Sequence, residues 1–200
     1  MDFDQLQDRR GTDCVKVDFA QEHGMPENLI PLWVADMDFC APDEVAEALT
    51  KVARSGIYGY SDIKDDYREA VLTWFEKHFG WQAQKDWLVI TPGVVFAINL
   101  AIRAYTQPGD AVLIQRPVYG PFSGSIKQNG RQVVSNDLIC EDGRYRMDYE
   151  DFEQKIVDNH IRLFLLCSPH NPVGRVWARQ ELEQVAQICA RHDVMVVSDE

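Results

Sequence analysis

Thr91-Pro92-Gly93-Val94-Val95 is a glycine turn running into an apolar helical pattern. The free N–H groups of such a helix start can hold an anion, although the stretch is neither a P-loop nor a GxGxxG turn. Arg116-Pro117-Val118-Tyr119 presents an aromatic ring from a loop. The five apolar residues Leu163 to Cys167 break into Ser168-Pro169-His170-Asn171-Pro172-Val173-Gly174, in which prolines restrict the backbone on both sides of Asn171. Val194-Met195-Val196-Val197-Ser198 ends in Asp199, a carboxylate at the carboxyl end of an apolar run. Each has an ordinary structural reading, and Asn171 alone fits a rigid turn as well as a site. In order, they offer an anion cradle, a flat partner, an amide donor and a carboxylate. Pyridoxal 5'-phosphate needs all of these: a phosphate site, a stacking partner, a donor to its phenolic oxygen, and an anion that keeps its ring nitrogen protonated.

These residues must be positioned by alternating strands and helices. Apolar runs predict strands at 87–91, 111–115, 131–135, 163–167 and 194–198, and helical periods predict helices at 94–106, 120–129, 149–158 and 179–192. Pro92-Gly93, Pro108-Gly109-Asp110 and Gly130 separate them, and Asp142-Gly143 predicts a hairpin turn. The fold class is therefore α/β, a mainly parallel sheet covered by helices. In such sheets ligands lie beyond the carboxyl ends of the strands, where these candidates fall.

Upstream, residues 1–30 show no period and read as an irregular arm. Asp36 and Asp38 interrupt the apolar segment Ile30–Phe39; an Asp-x-Asp pair can hold a metal, but a polar turn is the better reading. Pro42 is placed to open a helix at its first position, with Val45, Ala48, Leu49, Val52 and Ala53 as its buried stripe. A second helix at about 62–79 carries Tyr67, Ala70, Val71, Trp74 and Phe75 on one face, which core packing would explain. The division is an N-terminal arm and small-domain segment, 1–56, and a cofactor-binding large domain, 57–200, incomplete at its carboxyl end.

Ser168–Gly174, Val197-Ser198-Asp199-Glu200 and Arg116–Tyr119 resemble the fold-type I pyridoxal phosphate enzymes of the class I/II aminotransferase superfamily. More narrowly, Trp33-Val34-Ala35-Asp36-Met37-Asp38-Phe39, Tyr58-Gly59-Tyr60-Ser61 and Thr91–Val95 resemble the MalY/PatB branch of cystathionine β-lyases, or C–S lyases. The resemblance covers essentially the whole chain. It implies that Val94 and Val95 offer N–H groups to the phosphate, Tyr119 stacks on the ring, Asn171 bonds the phenolic oxygen and Asp199 pairs with the ring nitrogen. Asp199 and Tyr119 are thus the catalytic candidates. It also implies that Tyr60 reaches the phosphate of a neighbouring subunit in a homodimer, and that Ala35 and Asp36 lie near a small amino-acid substrate. The family's Schiff-base lysine and substrate-carboxylate arginine lie downstream of the strand ending at Asp199, and no lysine here sits in the corresponding Ser-x-Ser-Lys segment. The chain reads as about the first half of a family member, inactive alone. The implied activity is α,β-elimination from cystathionine or a related cysteine S-conjugate to pyruvate, ammonia and a thiol. The alternatives are an aminotransferase, or a non-catalytic regulatory protein on the same fold.

A net charge of -12 argues against a nucleic-acid partner. Residues 1–50 hold twelve acidic residues against Arg9, Arg10 and Lys16, and read as a solvated face. The cysteines (Cys14, Cys40, Cys140, Cys167, Cys189) form no CxxC and read as reduced thiols. No apolar run is long enough to span a membrane, and Met-Asp-Phe-Asp is unlike a signal peptide. A cytoplasmic protein without a membrane partner is the expectation.

Overall fold

Four of the apolar runs pair as parallel strands in a computed structural model that describes residues 4, 5, 7–26 and 29–200. They are β1 (Ala111–Ile114), β2 (Gln132–Ser135), β5 (Leu163–Cys167) and β6 (Met195–Asp199), in the order β2-β1-β5-β6. Between them, β3 (Ile139–Glu141) and β4 (Arg144–Arg146) form a separate antiparallel hairpin. Its two-residue turn is Asp142-Gly143, both with positive φ, as the twist of a tight hairpin requires.

Side chains of successive strand residues point to opposite faces, and the helices divide accordingly. Val112, Ile114, Leu163, Leu165 and Cys167 pack with Ile98 and Ile102 of α3 (Val94–Tyr105) and Phe122 and Ile126 of α4 (Gly120–Gln128). Leu113, Phe164 and Leu166 pack on the other side with Phe152 and Ile156 of α5 (Tyr149–Asp158) and Val185, Ile188 and Cys189 of α6 (Arg179–Arg191). All five residues of β5 are buried, as a strand covered on both faces must be. Phe164 meets Phe152 edge-to-face with centroids 4.9 Å apart, so Phe164→Ala would cost about 3–5 kcal/mol. The chain steps from β1 to β2 on one side, then crosses back to β5 and β6 on the other. The topological switch point therefore lies between β1 and β5.

The strand expected at 87–91 is absent. Lys85–Trp87 is a 3₁₀ turn and residues 88–92 are irregular, with Val89 and Ile90 exposed. An apolar run becomes a strand only by pairing, and none of the described residues pairs with this one.

The chain divides into two compact units, Met1–Tyr67 and Arg68–Glu200. The first contains α1 (Asp43–Ser55), and α2 (Asp65–Phe79) spans the boundary. Pro42 is the N-cap of α1 rather than its first residue, and Asp43 and Glu44 complement the macrodipole in the first turn. The stripe expected to be buried is exposed, with Leu49 at 67% and Val52 at 62%. Neither α1 nor α2 has a buried residue, and Tyr67 and Trp74 of the second helix's apolar face are exposed too. Periodicity identifies the face that gains from burial but supplies nothing to cover it. The arm is organised by side chains: Asp18 accepts bonds from the N–H groups of Gly11, Thr12 and Cys14 at 2.9–3.2 Å.

Candidate functional site

Tyr119 is the N-cap residue of α4, directly beyond the carboxyl end of β1. Its ring meets the edge of Phe122 at 6.2 Å and 80°, and Phe122 is fully buried. The core thus anchors one side of the ring while the rest remains open, as stacking requires.

Beyond β5 the chain turns tightly over Asn171–Gly174. His170 N–H donates to the Arg175 carbonyl at 2.6 Å, and Gly174 N–H to the His170 carbonyl at 2.8 Å. The Cys167 thiol sits inside this turn, with Asn171 N–H 3.4 Å from its sulfur. Trp177 donates its Nε1–H to the Cys167 carbonyl at 3.0 Å. These bonds engage the backbone and leave Asn171 exposed, its side-chain amide without a hydrogen bond among the described residues. An unclaimed donor carried on a bonded backbone turn is what a ligand's oxygen needs.

Asp199 ends β6 beside Cys167, and its carbonyl accepts from Ser168 N–H at 3.0 Å. Burial pushes its carboxyl above the usual range, and no cation among the described residues offsets the effect. A cationic ligand group placed there would restore the ionised form.

α3 begins with Gly93 at φ 155° and ψ 163°, a conformation essentially restricted to glycine. No side chain among the described residues caps this helix start, so the N–H groups of Val94 and Val95 are available to an anion. The far end of α3 is tied to the amino edge of the sheet. There Arg131, one residue before β2, donates to the Thr106 hydroxyl and carbonyl at 2.9 and 2.6 Å. The helix lies beside α4, joined by Asn99 to Ser125 at 3.0 Å and Asn129 to Asn99 at 2.6 Å. Twelve residues rise about 18 Å, which carries Gly93 to the carboxyl edge with Tyr119, Asn171 and Asp199. The arrangement can therefore accept a flat, phosphorylated ring with a basic nitrogen.

Ala35, Asp36 and Tyr60 belong to the other unit. Tyr60 is fully exposed and Ala35 exposed. Asp36 and Asp38 do not form a free acidic face, because two cations clasp them. Arg9 Nη1 lies 2.7 Å from Asp36 Oδ2 and 3.1 Å from Asp38 Oδ1. Lys16 Nζ, its side chain only 3% exposed, lies 3.0 Å from a carboxylate oxygen of each and donates to the Asp36 carbonyl at 2.7 Å. The bonds from Lys16, then Arg9, hold both carboxyls below their ordinary values. This clasp escaped sequence reasoning because Lys16 is twenty residues from Asp36 with no period linking them. His170 and Trp177 were also missed; His170 stands inside the Ser168–Gly174 motif, which was its only signal.

All five cysteines are free, with Cys14, Cys167 and Cys189 buried and Cys40 and Cys140 exposed. Among the described residues no helix is long and apolar enough to cross a membrane.

The chain is 42% identical over its full length to cystathionine beta-lyase PatB of Bacillus subtilis (strain 168), covering 52% of that protein. Among solved structures it superposes on cystalysin from Treponema denticola, which contains a pyridoxal 5'-phosphate cofactor, with a TM-score of 0.91 and 37% identity. It also superposes on the pyridoxal phosphate-bound C-S lyase of Staphylococcus hominis with a TM-score of 0.92 and 34% identity. Both structural matches cover 100% of this chain and 51% of the other. The chain spans about half the length of the curated relatives it matches. The aminotransferase class I and II family matches residues 27–200, and the chain belongs to that family.

Proposed function

We propose that the whole protein is a pyridoxal phosphate-dependent carbon–sulfur lyase, acting by α,β-elimination on cystathionine or a related cysteine S-conjugate to give pyruvate, ammonia and a thiol. The observation that carries this reading is the convergence of an uncapped helix start at Gly93, Tyr119, Asn171 and Asp199 on one sheet edge. Similarity along the whole of this chain to 52% of a cystathionine beta-lyase supports it. The residues fit the cofactor: the unclaimed N–H groups suit its phosphate, and the half-buried, uncompensated carboxyl suits its ring nitrogen.

When bound, the cofactor supplies an electron sink for the pair left at the substrate's α-carbon. The chain's own groups hold that sink in place. Val94 and Val95 donate their N–H groups to the phosphate, Tyr119 covers a ring face, and Asn171 donates its amide to the phenolic oxygen. Asp199 holds the proton on the ring nitrogen. Ala35 and Asp36 border the small amino-acid substrate, and the clasp by Arg9 and Lys16 keeps their loop in one conformation. Tyr60 serves the phosphate of a second subunit, so the working form is a homodimer, cytoplasmic and independent of nucleic acid or membrane. The division into an arm and small-domain segment, 1–56, and a cofactor-binding domain, 57–200, belongs to the same proposal.

The test is to give the whole protein cystathionine without a keto acid and to follow thiol and pyruvate together. Equal amounts over many turnovers support the lyase. One turnover that resumes only after keto acid is added assigns an aminotransferase instead.

A further inference from the structure

The carboxyl edge of the sheet is held unevenly. β5 and β6 stay paired to their ends, through Cys167↔Asp199. β1 and β5 pair at Val112↔Leu163 and Leu113↔Phe164; β1 then ends at Ile114, while β5 runs on to Cys167. This opening is the switch point, and with no ladder pair across it among the described residues, side chains contribute to its width.

His170 spans it. The residue is 1% exposed, and its Nε2 lies 3.0 Å from the carbonyl oxygen of Pro117, 53 residues away in sequence. A carbonyl only accepts, so Nε2 carries the proton. Burial lowers the imidazole's pKa, outweighing the raising effect of the nearby Pro117, Gln115 and Cys167 carbonyls, and keeps the ring neutral, while Nδ1 makes no hydrogen bond of good geometry among the described residues. Trp177 meets the ring edge-on at 5.4 Å and 84°, and Arg175 lies 4.7 Å over Trp177, itself bound by Glu181. The imidazole thus has one tautomer and little freedom to move. Its neighbour in sequence is Asn171, and its acceptor lies two residues before Tyr119. The hydrogen bond from His170 to the Pro117 carbonyl ties the strand pair bearing Asn171 and Asp199 to the loop bearing Tyr119.

We infer that His170 is a positioning residue which sets the width of the ring slot between Tyr119 and the ends of β5 and β6. The inference rests on the reading that this slot holds pyridoxal phosphate. In the whole protein, His170→Gln keeps an N–H near the reach of Nε2, whereas the amide of His170→Asn stops short of Pro117. Cofactor binding by absorbance titration should weaken about tenfold or more in the Asn variant and less than about threefold in the Gln variant. The circular-dichroism band of the bound cofactor should shrink in the Asn variant and recover with Gln. Ile156→Val, a buried change on α5, should lower the thermal midpoint without weakening cofactor binding. Equal affinities and bands for Gln and Asn overturn the inference, as does a comparable loss of affinity in Ile156→Val. If the Asn variant is not recovered folded, the Gln variant decides: near-wild-type affinity supports the role and a tenfold loss overturns it. Wild-type protein that takes up no pyridoxal phosphate overturns the cofactor reading itself, and this inference with it.

Discussion

Replacing Gly93 by Ala tests the phosphate cradle directly. Gly93 sits at φ 155° and ψ 163°, and a Cβ added there meets no heavy atom within 4 Å. The penalty is therefore conformational rather than steric: an L residue held in this region costs about 1–3 kcal/mol. If the helix start keeps its geometry, that cost appears as lower stability. If it relaxes to an ordinary φ, the peptide leading into Val94 rotates and its N–H leaves the site. In the second case the same energy appears as phosphate affinity lost, about 5- to 150-fold at 1.4 kcal/mol per decade. The assay titrates the cofactor-free whole protein with pyridoxal phosphate and, separately, with pyridoxal, alongside urea unfolding of wild type and variant. The phosphate ester should bind more weakly to the variant, and the affinity for pyridoxal should be unchanged. Equal weakening of both ligands would place the damage elsewhere in the slot. Unchanged affinity together with unchanged stability would refute the claim that this backbone conformation is strained for alanine.

Asp199→Asn should have opposite effects with and without cofactor. Burial raises the Asp199 carboxyl's pKa, so its contribution to stability is fully present below the unfolded value and is lost as pH rises through the folded one. The cofactor-free Asn variant should thus match or exceed wild type in thermal midpoint at pH 7, with the advantage vanishing at about pH 4 and below. Its turnover should fall by far more than its cofactor affinity, and a destabilised cofactor-free variant at pH 7 would contradict the reasoning. Mixing inactive Asp199→Asn and Tyr60→Ala proteins should restore activity in mixed dimers; none, despite demonstrated subunit exchange, removes Tyr60 from the partner's site. In the native chain a thiol reagent at pH 8 should modify Cys40 and Cys140 rapidly. Cys189, buried and pushed up to about 11, should react only on unfolding, and equally fast reaction would contradict its burial.

The sequence by itself determined the elements that carry their own partners. β5 was legible because five consecutive apolar residues need cover on both faces, and α5 occupies 149–158 as its period predicts. The hairpin was legible because Asp142-Gly143 accepts two positive φ values. The candidate residues Gly93, Tyr119, Asn171 and Asp199 were legible because each follows or opens a regular element, and the ends of parallel strands lie at one edge. Only tertiary structure decided what depends on a distant partner. The stripe of α1 and the run at 87–91 have the right period, yet burial and pairing require a neighbour that local pattern does not specify. The same limit hid the hydrogen bond from His170 to Pro117 and the clasp of Asp36 by Lys16. In each, two groups far apart in sequence meet only because the chain between them has folded.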